Sequence, residues 1–202
     1  MSYFPFFVDI KNKNFLLVGG GSTALRKAEV LSGFGCKIHV VSPKIDEKIK
    51  SLTPLCVQKE FNQTDLEGID FAIAATDSSE TNSLVSRLCK EKNIPVNSVD
   101  SPEECTFFFP AIYKNKEVVA GISTGGQSPL TASKIRRHLE ETLPQTTGDA
   151  AKNLGMLRER MKKDIPRFES RKKACDELYD LFISGNTGKD EIDKILNKYI
   201  SR

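Results

Sequence analysis

Short apolar runs recur through the first hundred residues, and turn-forming or polar residues close them. FLLVG (15–19) has the length of a strand and ends in glycine. CKIHVVSP (36–43) alternates and stops at Pro43, and IDFAIAATD (69–77) and IPVNSVD (94–100) are two further strands. Segments of helical spacing lie between them. STALRKAEVLSGFG (22–35) sets Ala24, Ala28 and Leu31 on one stripe and stops at Gly33 and Gly35. KIDEKIKSL (44–52) is a short helix, and SETNSLVSRLCKEKN (79–93) is an amphipathic one. Helices alternating with continuous apolar strands predict an α/β fold, a parallel sheet with helices on both faces. The N-terminal MSYFPFFVDIKNK is apolar but lacks a basic leader region and a small-residue cleavage site, so it reads as a strand and not a signal peptide.

The pattern changes after residue 104. TFFFPAIYKNKEVVAGIST (106–124) reads as two strands around the polar turn KNKE. Ser128 then caps a helix, SPLTASKIRRHLEETL, with Pro129 at its first position. From about residue 147 the chain is helical and polar, and Pro166 breaks the first helix there. Three parts follow: a nucleotide-fold domain (1–112), a short β-α segment (113–146) and a helical tail (147–202).

Composition narrows the function classes. A net charge of +3 over 202 residues implies no global polyelectrolyte behaviour. No run approaches the roughly 18–20 apolar residues that span a bilayer, so no membrane partner is expected. Five dispersed cysteines without a CxxC pair fit a reducing, cytoplasmic compartment and argue against a structural zinc site. Of the two histidines, His39 falls in a strand and reads as core, so no resident metal is expected.

VGGGSTALRKA (18–28) joins the first strand to the first helix, and Gly19, Gly21 and Ala24 match G-x-G-x-x-A. The first glycine serves the tight turn and the second lets a pyrophosphate approach the backbone. The small third residue lets the helix pack on the sheet, with its N-terminus facing the phosphates. In this strand–turn–helix context the loop predicts a Rossmann-type domain that binds a dinucleotide. A Walker lysine is missing, since Ser22 and Thr23 follow the glycines. The acidic residue expected at the end of the second strand is replaced by Ser42-Pro43-Lys44. Serine still bonds a ribose hydroxyl and Lys44 tolerates a 2′-phosphate, so this loop leaves NAD and NADP open. Thr76 and Asp77 end the third strand of this pass, where they either line the nucleotide or, with Ser78, cap the next helix.

Four stretches then occur in order: VGGGSTALRKAEVL, AIAATDSSETN, IPVNSVDSPEECTFFFPA and GISTGGQSPLTASKIRRHLEETLP. Together they resemble the precorrin-2 dehydrogenases of the siroheme-synthase family, which include bifunctional dehydrogenase/ferrochelatases. The similarity runs from residue 2 to about 145 and more loosely through the tail. It implies NAD-dependent oxidation of precorrin-2 to sirohydrochlorin and, in some members, insertion of Fe2+ (or Co2+ on the cobalamin branch) as a metal substrate. It implies a homodimer formed through 113–146. It places the acid/base at Asp100, nucleotide contacts at Ser22, Thr23, Pro43 and Lys44, and Ser128 in the tetrapyrrole cleft, where some relatives are phosphorylated. The methyltransferase domain of the trifunctional members has no counterpart here, and the tail is less similar.

The residues suit that chemistry. Losing a hydride and a proton requires a base near the macrocycle, and Asp100 closes a strand at the carboxyl edge of the sheet. A covering Phe107, Phe108 or Phe109 would raise its pKa by desolvation or offer a flat wall, Phe107 being the wall assigned to substrate. The plainer reading makes Asp100-Ser101-Pro102 a turn and the phenylalanines core, with at most Phe107 and Phe109 on one face. A substrate with eight carboxylates needs cations, and Arg136 and Arg137 follow the STGGQSP loop, itself an anion site of the glycine-and-helix kind. Two other classes compete. A nucleotide-sensing regulatory module would share the glycine loop without needing Asp100 or the second glycine loop. A nucleic-acid binder would use the basic tail, but interspersed acids and missing motifs argue against nucleic acid.

Overall fold

A computed structural model describes residues 4–99 and 101–200. It divides into two compact units, Phe6–Phe109 and a second built from Pro110–Arg202 with the N-terminal residues up to Pro5.

The first unit carries β1 (Asn14–Val18), α1 (Ser22–Ser32), β2 (Lys37–Val41), α2 (Glu47–Leu52), β3 (Cys56–Val57), β4 (Phe71–Ala74), α3 (Ser79–Glu91) and β5 (Val96–Ser98). Short 3-10 helices cover Gln63–Leu66 and Pro102–Glu104. All five strands are parallel, in the order β3-β2-β1-β4-β5. The chain therefore reverses its direction of winding between β1 and β4, the place where ligands bind in such sheets.

Strand alternation builds two cores. Phe15, Leu17, Ile38, Val40 and Ile73 face α1 and α2, meeting Ala24, Ala28, Leu31 and Ile49. Leu16, Val18, Val41, Ala72 and Ala74 face the other way, meeting Val85 and Cys89 of α3. Each fully buried Leu or Ile contributes about 1.5–3 kcal/mol by leaving water, and a one-residue slip would exchange the two sets between cores of different shape. The expected parallel sheet and its helices are thus present.

Three details differ from the sequence expectation. Residues 106–110, read as part of a strand, are irregular, and that strand begins only at Ala111. β3 is a two-residue edge strand too short to leave a periodic signal. The apolar N-terminal segment is no strand: residues 4–10 are irregular, and Phe4, Phe6 and Phe7 are at least 76% exposed. Pro5 withholds one N–H, and β1 already has β2 and β4 on its two sides, so no ladder position beside it remains.

In the second unit β6 (Ala111–Asn115) and β7 (Val118–Ile122) form an antiparallel hairpin, with Lys116 at φ 52° in the turn. α4 (Pro129–Thr142) packs on this hairpin. α5 (Thr147–Asp164), α6 (Phe168–Ile183) and α7 (Lys189–Ile200) bury Ala150, Met161, Leu178, Phe182 and Leu196 together. Pro166 separates α5 from α6, and Arg171 Nη1 donates to the carbonyls of Ile165 (2.8 Å) and Pro166 (2.6 Å), satisfying the end of α5. No helix among the described residues is long and apolar enough to cross a membrane.

Candidate dinucleotide site

Three loops meet at the carboxyl edge of the first unit's sheet. Gly19 follows β1, donates to the Val41 carbonyl of β2 (3.0 Å), and sits at φ 124°. A Cβ there would lie 2.6 Å from the Ala75 carbonyl carbon, so the chain after β4 requires glycine. Gly20 accepts from Asp46 N–H (2.9 Å), and a Cβ on it would lie 2.8 Å from Ile45 Cα and nearer still to the Lys44 carbonyl. Gly21 differs from both. A Cβ on it meets nothing within 4 Å, and its φ of −90° suits any residue. The protein's own packing leaves open the space in front of Gly21.

Gly21 is also the N-cap of α1, with no side-chain acceptor and no acid in the first turn. The first N–H groups of α1 therefore lack a side-chain cap, and the helix dipole adds its positive end. An open approach above an uncapped helix start fits the pyrophosphate of a dinucleotide. Ser22 is exposed and Thr23 half-buried, accepting from Arg26 Nη2 at 3.3 Å.

Ser42, Pro43 and Lys44 stand beside this loop, because the Lys44 backbone lies against Gly20. Ser42 donates its N–H to Val57 (3.3 Å), and the side chains of Pro43 and Lys44 are exposed. On the β4 side, Thr76 is held by one residue that sequence reasoning missed. Asn82 Oδ1 accepts from the Thr76 N–H (3.1 Å) and hydroxyl (2.8 Å), and Asn82 Nδ2 donates to the Thr76 carbonyl (3.1 Å). Asn82 is 6% exposed although it belongs to a mostly polar helix, and only its place in the TDSSETN run hinted at it. Ser78 caps α3 by accepting from Thr81 N–H (3.2 Å), while Asp77 is exposed.

Beyond β5 the chain is stapled back to the sheet. Cys105 Sγ accepts from Ser98 N–H (3.2 Å) and donates toward the carbonyls of Ser98 (3.1 Å) and Ser101 (3.4 Å). Glu104 takes hydrogen bonds from Ser83 (2.5 Å) and Ser98 (3.2 Å). Asp100 lies outside the described residues. Phe107 is half-buried against the core, edge-on to Phe71 at 5.9 Å and 5.6 Å from Phe109, whereas Phe108 turns outward. Lys27 of α1 sets its ammonium 3.9 Å from the Phe109 ring centre, and desolvation lowers its pKa to about 8. Burial also raises every cysteine, Cys89 to about 11, so these thiols stay protonated at neutral pH.

The remaining candidates belong to the second unit. Gly125 (φ 63°) and Gly126 (φ 81°) shape the loop before α4. Ser128 caps α4, accepting from Thr131 N–H (3.1 Å), and its own N–H goes to Thr124 Oγ1 (3.0 Å). Arg136 is paired with Glu140, and Arg137 is exposed. Among the described residues no group of three or more His, Cys, Asp or Glu is placed to hold a metal.

A parallel sheet in 3-2-1-4-5 order with a glycine loop at its switch point defines a dinucleotide-binding α/β protein of Rossmann type. Residues 6–111 match the family model described as putative NAD(P)-binding, and the chain belongs to that family. It is 38% identical over 166 residues to a siroheme synthase of Saccharophagus degradans, covering 80% of this chain and 36% of the relative. It is 37% identical over 183 residues to a siroheme synthase of Azotobacter vinelandii, covering 89% and 39%. The chain thus spans less than two fifths of these relatives' length. A solved structure titled SirC, precorrin-2 dehydrogenase, matches with a TM-score of 0.71 at 21% identity over 99% of this chain and 100% of that one, which supports the fold. The siroheme-synthase resemblance read from the motifs is borne out.

Proposed function

We propose that this chain is a precorrin-2 dehydrogenase that oxidises precorrin-2 to sirohydrochlorin with NAD+, in siroheme or cobalamin formation. The observation that carries this is the 38% identity to a siroheme synthase over 80% of the chain, joined to a glycine loop left open at Gly21. The residues divide the work. Gly19 and Gly21 with Ser22 and Thr23 hold the pyrophosphate at the start of α1, where a phosphate meets free N–H groups. Ser42, Pro43 and Lys44 receive the adenosine ribose, and Thr76 and Asp77 line the nicotinamide side. Bound there, NAD+ supplies the hydride acceptor. Asp100 accepts the proton that leaves with the hydride, which balances the two-electron oxidation. Ser128, Arg136, Arg137 and Phe107 serve the macrocycle and its carboxylates, the cations by charge and Phe107 by its flat apolar ring.

The protein works in the cytoplasm as a homodimer through residues 113–146. Fe2+ or Co2+ would enter only as a second substrate, held by the macrocycle nitrogens while Asp100 removes pyrrole protons. The test is anaerobic: precorrin-2 generated in situ, followed spectroscopically with NAD+, with and without Fe2+, for wild type and Asp100→Ala. Sirohydrochlorin appearing only with NAD+, and only in wild type, is expected. Siroheme forming faster than in the metal-only control adds the chelatase. Precorrin-2 left unchanged by a protein that binds NAD+ would replace the enzyme with a nucleotide-sensing module.

A further inference from the structure

Lys27 is a half-buried cation with no counter-ion among the described residues. It lies on α1 one turn past Thr23, and its side chain reaches Phe109 and the neighbourhood of Cys105. Its ammonium rests on the face of Phe109, and an aromatic face replaces only part of the hydration that burial removes. The groups that act on its charge are the Cys105 thiol across from it and Arg26 beside it. Neither is an anion at neutral pH, since burial holds Cys105 protonated. Glu104, the acid next to Cys105, is committed to Ser83 and Ser98. Among the described residues no carboxylate pairs with Lys27, and no acceptor takes any of its three N–H groups. Its side chain is only half-buried.

We propose that Lys27 is an anion-binding residue of the cleft that receives a carboxylate of the substrate beside the loop after β5. The proposal rests on the tetrapyrrole reading above, because a polycarboxylate is what would bring that anion. A dinucleotide phosphate is the other source of negative charge. The uncapped N–H groups at the start of α1 already serve it, a turn away from Lys27. The low pKa fits the same picture: an unpaired, desolvated ammonium binds its proton weakly, and an arriving carboxylate raises that affinity.

Two measurements test this. In the first, reductive methylation with 13C-formaldehyde labels the wild-type lysines, and the Lys27 resonance, assigned with Lys27→Arg, is titrated alone, with NAD+, and with uroporphyrin as a stable octacarboxylate probe. A titration near pH 8 that moves up with uroporphyrin and not with NAD+ is expected. In the second, Lys27→Met should weaken uroporphyrin binding about tenfold while changing NAD+ affinity less than about twofold, and Lys27→Arg should restore most of the loss. Equal weakening of NAD+ binding would assign the anion to the dinucleotide and overturn the carboxylate. A Lys27 resonance that neither ligand moves would reduce the residue to a contact on Phe109. If wild type binds uroporphyrin but leaves precorrin-2 unoxidised, the dehydrogenase reading fails, and the binding arm still decides Lys27.

Discussion

Alanine at Gly20 and alanine at Gly21 should separate folding from ligand binding across one peptide bond. At Gly20 the added methyl would lie 2.8 Å from Ile45 Cα and closer to the Lys44 carbonyl. Carbon atoms normally rest about 3.5–4.0 Å apart, so the backbone after β2 must retreat by roughly 1 Å. Neither partner is a flexible side chain, so the penalty belongs at the upper end of overpacking, about 2–3 kcal/mol. For a unit of this size that lowers the melting temperature by about 10–20 °C. At Gly21 the methyl meets nothing within 4 Å and φ is −90°, so the change costs at most about 1 kcal/mol, from replacing a glycine N-cap. The same methyl occupies the approach to the helix start. Gly21→Ala should therefore weaken NAD+ binding at least about tenfold, or ~1.4 kcal/mol, with little change in melting. Differential scanning fluorimetry and isothermal titration calorimetry on both variants read the two effects. A Gly21→Ala protein that melts early, or one that binds NAD+ as wild type does, would refute the assignment of that open space to the dinucleotide.

Three further outcomes follow from local geometry. Ser128→Ala removes the acceptor for Thr131 N–H and should destabilise the second unit by about 1 kcal/mol in urea melts, with Ser128→Asp restoring the cap. Phe182→Ala empties a fully buried position among α5, α6 and α7 and should cost about 3–5 kcal/mol, seen as a lower denaturant midpoint. Burial, helped by Lys37, lowers the pKa of His39 below its ordinary value of 6.5, so the native state binds fewer protons there than the unfolded chain. That stability is fully present above about pH 6.5 and is lost as pH falls through the folded value, and His39→Gln should flatten this step in melts between pH 5 and 8.

The strand at 14–18 was legible because both faces of a parallel sheet are covered, so it reads as an unbroken apolar run; that same run hid the split of Phe15 and Leu17 from Leu16 and Val18 between the two cores. Gly19 was legible for a local reason, its place in a strand–turn–helix pattern. Gly20 was not: what demands glycine there is the Lys44 backbone, which comes from another loop. Asn82 was hidden for a similar reason. In an amphipathic helix a polar residue reads as solvent-facing, and only the fold turns it toward Thr76. The N-terminal phenylalanines misled in the opposite direction, since apolar character predicts burial but does not supply a partner strand. For Phe107 and Phe109, period-two alternation correctly set them on one face, with Phe108 outward.

The bond set between Asn82 and Thr76 has a consequence for selectivity. One amide side chain occupies the N–H, the hydroxyl and the carbonyl of Thr76, so Thr76 itself has little polarity left to offer a visitor. A surface whose valences are satisfied from behind discriminates by outline. Analogues that lose a polar group on that side should bind as well as the parent, while those that gain bulk there should be turned away.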